Sequence, residues 1–207
     1  MRGLMRLLVV GVCLYLAMVM VTPAAWGSSA MDQLRSTVDE VISILSNPSL
    51  KRPGQEKRRL QMVKQAINQR FDYSEMAKRS LSRYWKPLSP SQREQFVELF
   101  SQLLERSYSG KLEAYSNEKV IYQSERLDGD YAEIRTIVTR PNDRIPMNYR
   151  MINKGGKWWV YDIVIEGVSL VSNYRNQFGR IIRESSYQEL VRRMQTKVKA
   201  QQGVKRL

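Results

Sequence analysis

The 207-residue chain contains no histidine and a single cysteine, Cys13. A Ser-His-Asp triad, a Cys-His pair and a histidine-ligated zinc site are therefore excluded. One cysteine cannot form an intramolecular disulfide or a thiolate cluster. Neither GxxxxGK[ST] nor GxGxxG occurs, so no phosphate cradle is encoded. The one paired glycine, Gly155-Gly156, reads as a hairpin turn. Acid is also scarce, with 20 Asp and Glu against 34 Lys and Arg, a formal net charge of +14. That balance favours anionic partners: nucleic acid, acidic lipid or acidic protein. With 43% hydrophobic and 26% charged residues, the composition is that of a globular protein.

The first thirty residues read as an export address. Arg2 and Arg6 precede Leu7 to Val21, a run without a charge, and then Thr22-Pro23 and a stretch of small residues. This is the pattern of a secretory signal peptide over residues 1–27, with Ala25 and Gly27 before a cleavage site at Ser28. Ala30 is a second possible end. A retained transmembrane anchor is the competing reading, but the run falls short of the roughly 20 apolar residues that a bilayer needs. Cys13 lies inside the run and leaves with it. Export to the periplasm follows, where nucleic acid is not an expected partner.

The mature chain, residues 28–207, reads as one α+β domain: a helical part (28–117), a strand meander (119–166) and a helical tail (168–201). Leu34, Val38, Val41, Ile42 and Leu45 have helical spacing, as do Leu60, Val63, Ile67 and Phe71. Asp72 with Glu75 marks a third helix start. Ser89-Pro90-Ser91-Gln92 marks a fourth, opening a long stripe from Phe96 through Tyr108 to Tyr115. From Lys119 the period changes to two. Four strands are expected over 120–127, 131–140, 144–154 and 157–165, joined by tight turns. The fourth, Trp158 to Ile165, is apolar or aromatic on both faces. That predicts burial under the helices or a ligand cavity on its second side. Ser169 is a cap for the helix that carries Tyr174 and Phe178, and a final helix runs from Tyr187 to about Lys199.

Catalysis without histidine would need paired carboxylates. Asp162 and Glu166, four residues apart, are the only pair near the end of the sheet, and no nucleophile motif accompanies them. Asp162 reads instead as a partner for backbone or an arginine, and Glu166-Gly167 as a turn. No catalytic residue, metal or cofactor is expected. The aromatic inventory (eleven Tyr, four Trp and four Phe) suits an apolar cavity with a wet rim, although a filled core has the same composition.

Two stretches resemble the signatures of the MlaC family of toluene-tolerance, ABC-transporter auxiliary periplasmic proteins. The first comprises Phe71-Asp72-Tyr73-Ser74-Glu75-Met76-Ala77-Lys78, Tyr84-Trp85, and Leu88-Ser89-Pro90-Ser91-Gln92-Arg93-Glu94-Gln95-Phe96. The second runs from Trp158-Trp159-Val160-Tyr161-Asp162 through Glu166-Gly167-Val168-Ser169-Leu170-Val171 to Asn173-Tyr174-Arg175 and Gln177-Phe178. The resemblance implies a curved antiparallel sheet of about four strands packed with helices from both halves, NTF2-like, around an apolar cavity. It implies a monomeric periplasmic phospholipid carrier that serves outer-membrane lipid asymmetry. Its partners would be an inner-membrane ABC transporter complex with its substrate-binding subunit, and an outer-membrane lipoprotein–porin complex.

Exposing about thirty acyl methylenes to water costs roughly 24 kcal/mol, so such a carrier needs an apolar sleeve and no catalytic group. The inward positions expected to form it are Phe96, Phe100, Leu103, Ile134, Val138, Met147, Tyr149, Val160, Val164, Val168, Val171 and Tyr174. Arg150 or Arg175 could hold a phosphate, though a solvated face explains each. The alternatives are a carrier of another amphiphile, such as a hopanoid, and a periplasmic adaptor with a filled core.

Overall fold

Most of these local signals fix an element in the computed structural model, which describes residues 29–203 other than residue 142. The expected signal peptide lies outside the described residues. Helix α1 (Ala30–Ser46) is capped by Ser29, whose Oγ accepts from the Asp32 N–H. Helix α2 (Glu56–Asn68) follows, then α3 (Tyr73–Leu81) and the long α4 (Pro90–Glu113). At α4 the Ser89 hydroxyl accepts from Gln92 N–H and the Gln92 side chain accepts from Ser89 N–H, a reciprocal capping box. At α3 only half of that pattern forms. Asp72 caps the Glu75 N–H, but the Glu75 carboxylate turns outward to Arg79 at 2.7 Å.

Strands β1 (Lys119–Asp128), β2 (Tyr131–Arg140), β3 (Asp143–Lys154) and β4 (Lys157–Ile165) form the expected meander. A fifth, β5 (Val168–Ser169), folds back on the end of β4 and makes the sheet one strand wider than expected. The order is β1-β2-β3-β4-β5, antiparallel throughout, and β1 and β5 do not pair with each other. The turn from β4 to β5 holds Glu166 and Gly167 at φ of 50° and 82°. A glycine reaches this left-handed region freely, whereas Glu166 adopts it against its Cβ. Helices α5 (Leu170–Glu184) and α6 (Tyr187–Gly203) complete the described chain.

One extra residue explains why β4 is apolar on both faces. The register between β3 and β4 shifts between Arg150 and Met151, so Met151 faces Val160 while Arg150 faces Asp162. Trp158 and Val160 therefore share the inner face of the sheet with Ile134, Tyr149 and Met151, under Leu34 of α1. Beyond the bulge, Asp162 and Val164 lie on the outer face. A bulge of this kind reverses which alternate residues point inward.

The buried side chains form three clusters. One packs α3, α4, α5 and α6 around Phe96, Phe100, Tyr174 and Phe178, whose rings meet at 5.2–6.0 Å, mostly edge to face. The second joins α1 to the inner face of the sheet. The third holds Ile44, Leu45 and Leu50 against Val63 and Ala66. Phe71 packs against both the first and the second. Helical spacing suggests that Phe71 ends α2. Instead it lies beyond that helix and pairs with Val160 in parallel, with Val160 N–H donating to Arg70 O and Asp72 N–H donating to Val160 O. Three residues between two helices thus act as a strand on the free edge of β4.

Two substitutions measure these contributions by chemical denaturation. Ser89→Ala removes half of the capping box at α4 and should cost about 1 kcal/mol. Phe100→Ala empties a fully buried ring site and should cost about 3–5 kcal/mol.

Candidate functional site

The inner face of the sheet is an apolar surface only partly covered. Ala132, Ile134, Tyr149, Met151, Trp158 and Val160 are buried where α1 crosses. Toward the other end of the strands, Val138, Ile145, Met147, Ile163 and Ile165 continue the same face as partly exposed side chains. Polar groups on this face are few. Thr136 is fully buried and its hydroxyl donates to the Met147 carbonyl. The Tyr149 hydroxyl touches the Met147 sulfur at 3.2 Å. The buried Tyr122 hydroxyl has no hydrogen-bond partner among the described residues.

A polar clamp holds α1 over this surface. The Arg70 guanidinium donates to Gln33 Oε1 at 2.7 Å, to the Trp158 carbonyl at 2.8 Å and to Thr37 Oγ1 at 3.2 Å. Gln33 Oε1 also accepts from Trp158 N–H, so one amide joins α1, β4 and the segment after α2. At the start of the helix, Met31 N–H donates to Glu125 of β1. Burial of the Arg70 head lowers its pKa from the ordinary value.

Asp162 joins the sheet to the helical half on the other face. It is 3% exposed, and its carboxylate accepts from Val171 N–H at 3.0 Å, the Ser169 hydroxyl at 2.6 Å and Arg150 at 3.2 Å. Val171 lies in the first turn of α5, where an anion is favoured by the helix dipole. Its donors thus tie β5 and the start of α5 to β3 and β4. Glu166, its expected partner in a carboxylate pair, is an exposed turn residue.

The twelve side chains expected to line one sleeve are divided between two clusters and the surface. Phe96, Phe100, Leu103, Val171 and Tyr174 lie in the helical cluster. Ile134, Tyr149 and Val160 lie under α1, with Met147 packed beside them. Val164 is buried on the outer face, Val138 is partly exposed, and Val168 stands 61% exposed on β5. Two concavities, of about 510 and 540 Å³, lie at the β2–β3 end and between α3 and α5. Neither is lined by any of the twelve. Among the described residues no group of three or more acids could hold a metal ion, and no helix is long and apolar enough to cross a membrane.

The edge pairing at Phe71 and the Asp162 junction both draw on the two stretches singled out in the sequence. A match to the family described as MlaC protein extends over residues 35–196 and takes in both. The chain belongs to the MlaC family. Among curated relatives, the intermembrane phospholipid transport system binding protein MlaC of Haemophilus influenzae is 34% identical over 121 residues, 56% of each chain. The toluene tolerance protein ttg2D of Pseudomonas putida is 28% identical over 99 residues, 47% of this chain and 46% of that protein. The matched segment thus spans about half the length of either relative. The phospholipid-binding protein of Ralstonia solanacearum, solved in complex with a phospholipid, has the same fold, with a TM-score of 0.75 and 29% identity. The likeness covers 84% of this chain and 99% of that one. These matches bear out the resemblance to MlaC and the α+β fold with its open antiparallel sheet.

Two tyrosines, Tyr149 on the inner face and Tyr73 beside the helical cluster, give a titration that checks this description. Burial pushes the Tyr149 phenol from the ordinary value of 10.0 up to about 12. Burial, reinforced by Glu105, does the same for Tyr73. A phenol raised in the folded state stabilises fully below its unfolded pKa, and that contribution is lost as pH rises through the folded value. Stability should therefore fall between about pH 10 and 12, and Tyr149→Phe should flatten part of that fall. Thermal unfolding across the alkaline range measures both.

Proposed function

We propose that this MlaC-family chain is an exported phospholipid carrier, not an enzyme. Its acyl chains would lie against the inner face of the sheet, and its head group would stay near solvent. The observation that carries this reading is the phospholipid bound to the Ralstonia relative, in a fold shared along 84% of the chain. The geometry adds three supports. The partly exposed row of Val138, Ile145, Met147, Ile163 and Ile165 offers hydrocarbon a surface already half out of water. Tyr122, unsatisfied in a buried position, could donate to an ester or phosphate oxygen at the edge of that row. Asp162, the only acid of the suggested pair that is buried, is engaged by Arg150 of β3, Ser169 of β5 and Val171 of α5.

On this reading Ile134, Val138, Met147, Tyr149 and Val160 form the sheet-side wall. Phe96, Phe100, Leu103, Val171 and Tyr174 belong to the helical cluster and not to that wall. Loading must part side chains that are in contact in the described structure. Acyl methylenes replace those contacts one for one, because hydrocarbon gains about as much from a lipid tail as from a neighbouring side chain. The carrier would work in the periplasm as a monomer. It would receive or deliver lipid at an inner-membrane ABC transporter complex and at an outer-membrane lipoprotein–porin complex, as part of outer-membrane lipid asymmetry.

Solvent extraction of the purified chain, followed by mass spectrometry, tests the cargo. Two-chain phospholipid should be recovered at about one per protein, a stoichiometry set by a single apolar face of this size. A clean extract, or a polycyclic lipid in its place, would refute the reading. Met147→Glu places an unpaired charge on the exposed part of the wall and should lower bound lipid several-fold with little change in melting temperature. Undiminished lipid in that variant would move the wall elsewhere.

A further inference from the structure

Four arginines surround a concavity of about 540 Å³ at the junction of α3 and α5. Arg83 follows the end of α3, while Arg175, Arg180 and Arg183 project from one side of α5. All four are exposed, and none lies within ion-pair distance of a carboxylate among the described residues. Arg79, Arg135, Arg140, Arg150, Arg192 and Arg193 each have a carboxylate partner, whereas these four converge on one hollow without one.

Ordinary structural roles account for only part of the group. Arg183, in the last turn of α5, complements the helix dipole. Arg83 lies over the Tyr84 ring and donates to its hydroxyl at 3.0 Å. The hydrogen bond from Arg83, aided by Arg183, holds the Tyr84 phenol below its ordinary pKa, so the positive field converges on that oxygen. Arg175 is anchored through Nε to the Arg79 carbonyl at 3.0 Å, which fixes where its remaining donors point. Between them Gly179 keeps the floor open; a Cβ there would meet Arg183 Nη1 at 3.2 Å. Convergence of four like charges on one hollow is electrostatically unfavourable unless an anion relieves it. Guanidinium forks match the oxygens of a phosphate group in pairs.

We propose that this concavity binds a phosphate group, at a site separate from the apolar inner face. The inference does not rest on the cargo reading, because the residues belong to a different part of the molecule. The phosphate could come from free phosphate or from lipid head groups at a membrane surface, and the two are told apart by experiment.

The purified protein is titrated with inorganic phosphate by calorimetry and, in parallel, sedimented with vesicles of phosphatidylcholine alone or mixed with phosphatidylglycerol. At least one arm should show binding that weakens about tenfold in Arg180→Gln/Arg183→Gln, a loss typical of charge-assisted bidentate contacts. Response in the calorimetric arm alone assigns free phosphate, and response to mixed vesicles assigns lipid head groups. Lys197→Gln/Lys199→Gln removes the same charge elsewhere and should leave binding near the wild-type level. Equal weakening by both variants would reduce the effect to net charge and overturn the proposal. So would silence in both arms, including the case in which only an acidic peptide binds. Extractable lipid should be unchanged in the arginine variant; its loss would contradict the separateness of the two sites.

Discussion

Burial of β4 on both faces and along both edges is the constraint on which the rest of the structure depends. Its inner face carries Trp158 and Val160 under α1. Its outer face carries Asp162 under the start of α5. One edge pairs with β3, and the other is shared by β5 and the Arg70–Asp72 segment. Each of these would otherwise leave backbone polar groups without partners in a dry setting, at a cost of roughly 1–3 kcal/mol apiece. The strand therefore fixes where both helical halves meet the sheet, and how much of the inner face α1 can cover.

Covering only part of that face is what makes the arrangement useful. A sheet wholly roofed by helices would be a core, and one left bare would bind its own kind along apolar surface. Here the clamp of Arg70 and Gln33 secures α1 at one end of the strands, and the partly exposed apolar row begins where the helix no longer crosses. The clamp is polar, so its parts are set by geometry and not by area. It holds α1 in one place while the neighbouring hydrophobic contacts remain exchangeable with hydrocarbon. The charged groups follow a different logic. Among the described residues seven acids form ion pairs, and none of those pairs reaches the arginines at the junction of α3 and α5.

Much of this was legible in the residues because local rules governed it. Ser89-Pro90-Ser91-Gln92 and Ser169 cap their helices as their chemistry demands, and Gly155-Gly156 turns β3 into β4. The unusual composition of β4 announced burial on both sides. Features set by long-range pairing were not legible. Phe71 fits the apolar stripe of α2 yet serves as an edge strand, because Val160 offers backbone partners that the sequence cannot reveal. The single-residue bulge beside Tyr161 divides the expected sleeve, since alternation alone gives no sign of where a register shifts. Glu75 matches the capping pattern but finds Arg79 one turn away. Val168 looks like its apolar neighbours, and only the tight turn before it brings it to the surface.

The central claim is that acyl chains lie along the inner face of the sheet. Methyl NMR with a phospholipid carrying a spin label on one tail tests it most directly. Signals of Ile134, Val138, Met147 and Ile163 should be quenched, while those of Leu190 and Met194, in the helical cluster around α6, should persist. Quenching confined to the α6 methyls, or absent everywhere while lipid remains bound, would contradict the account.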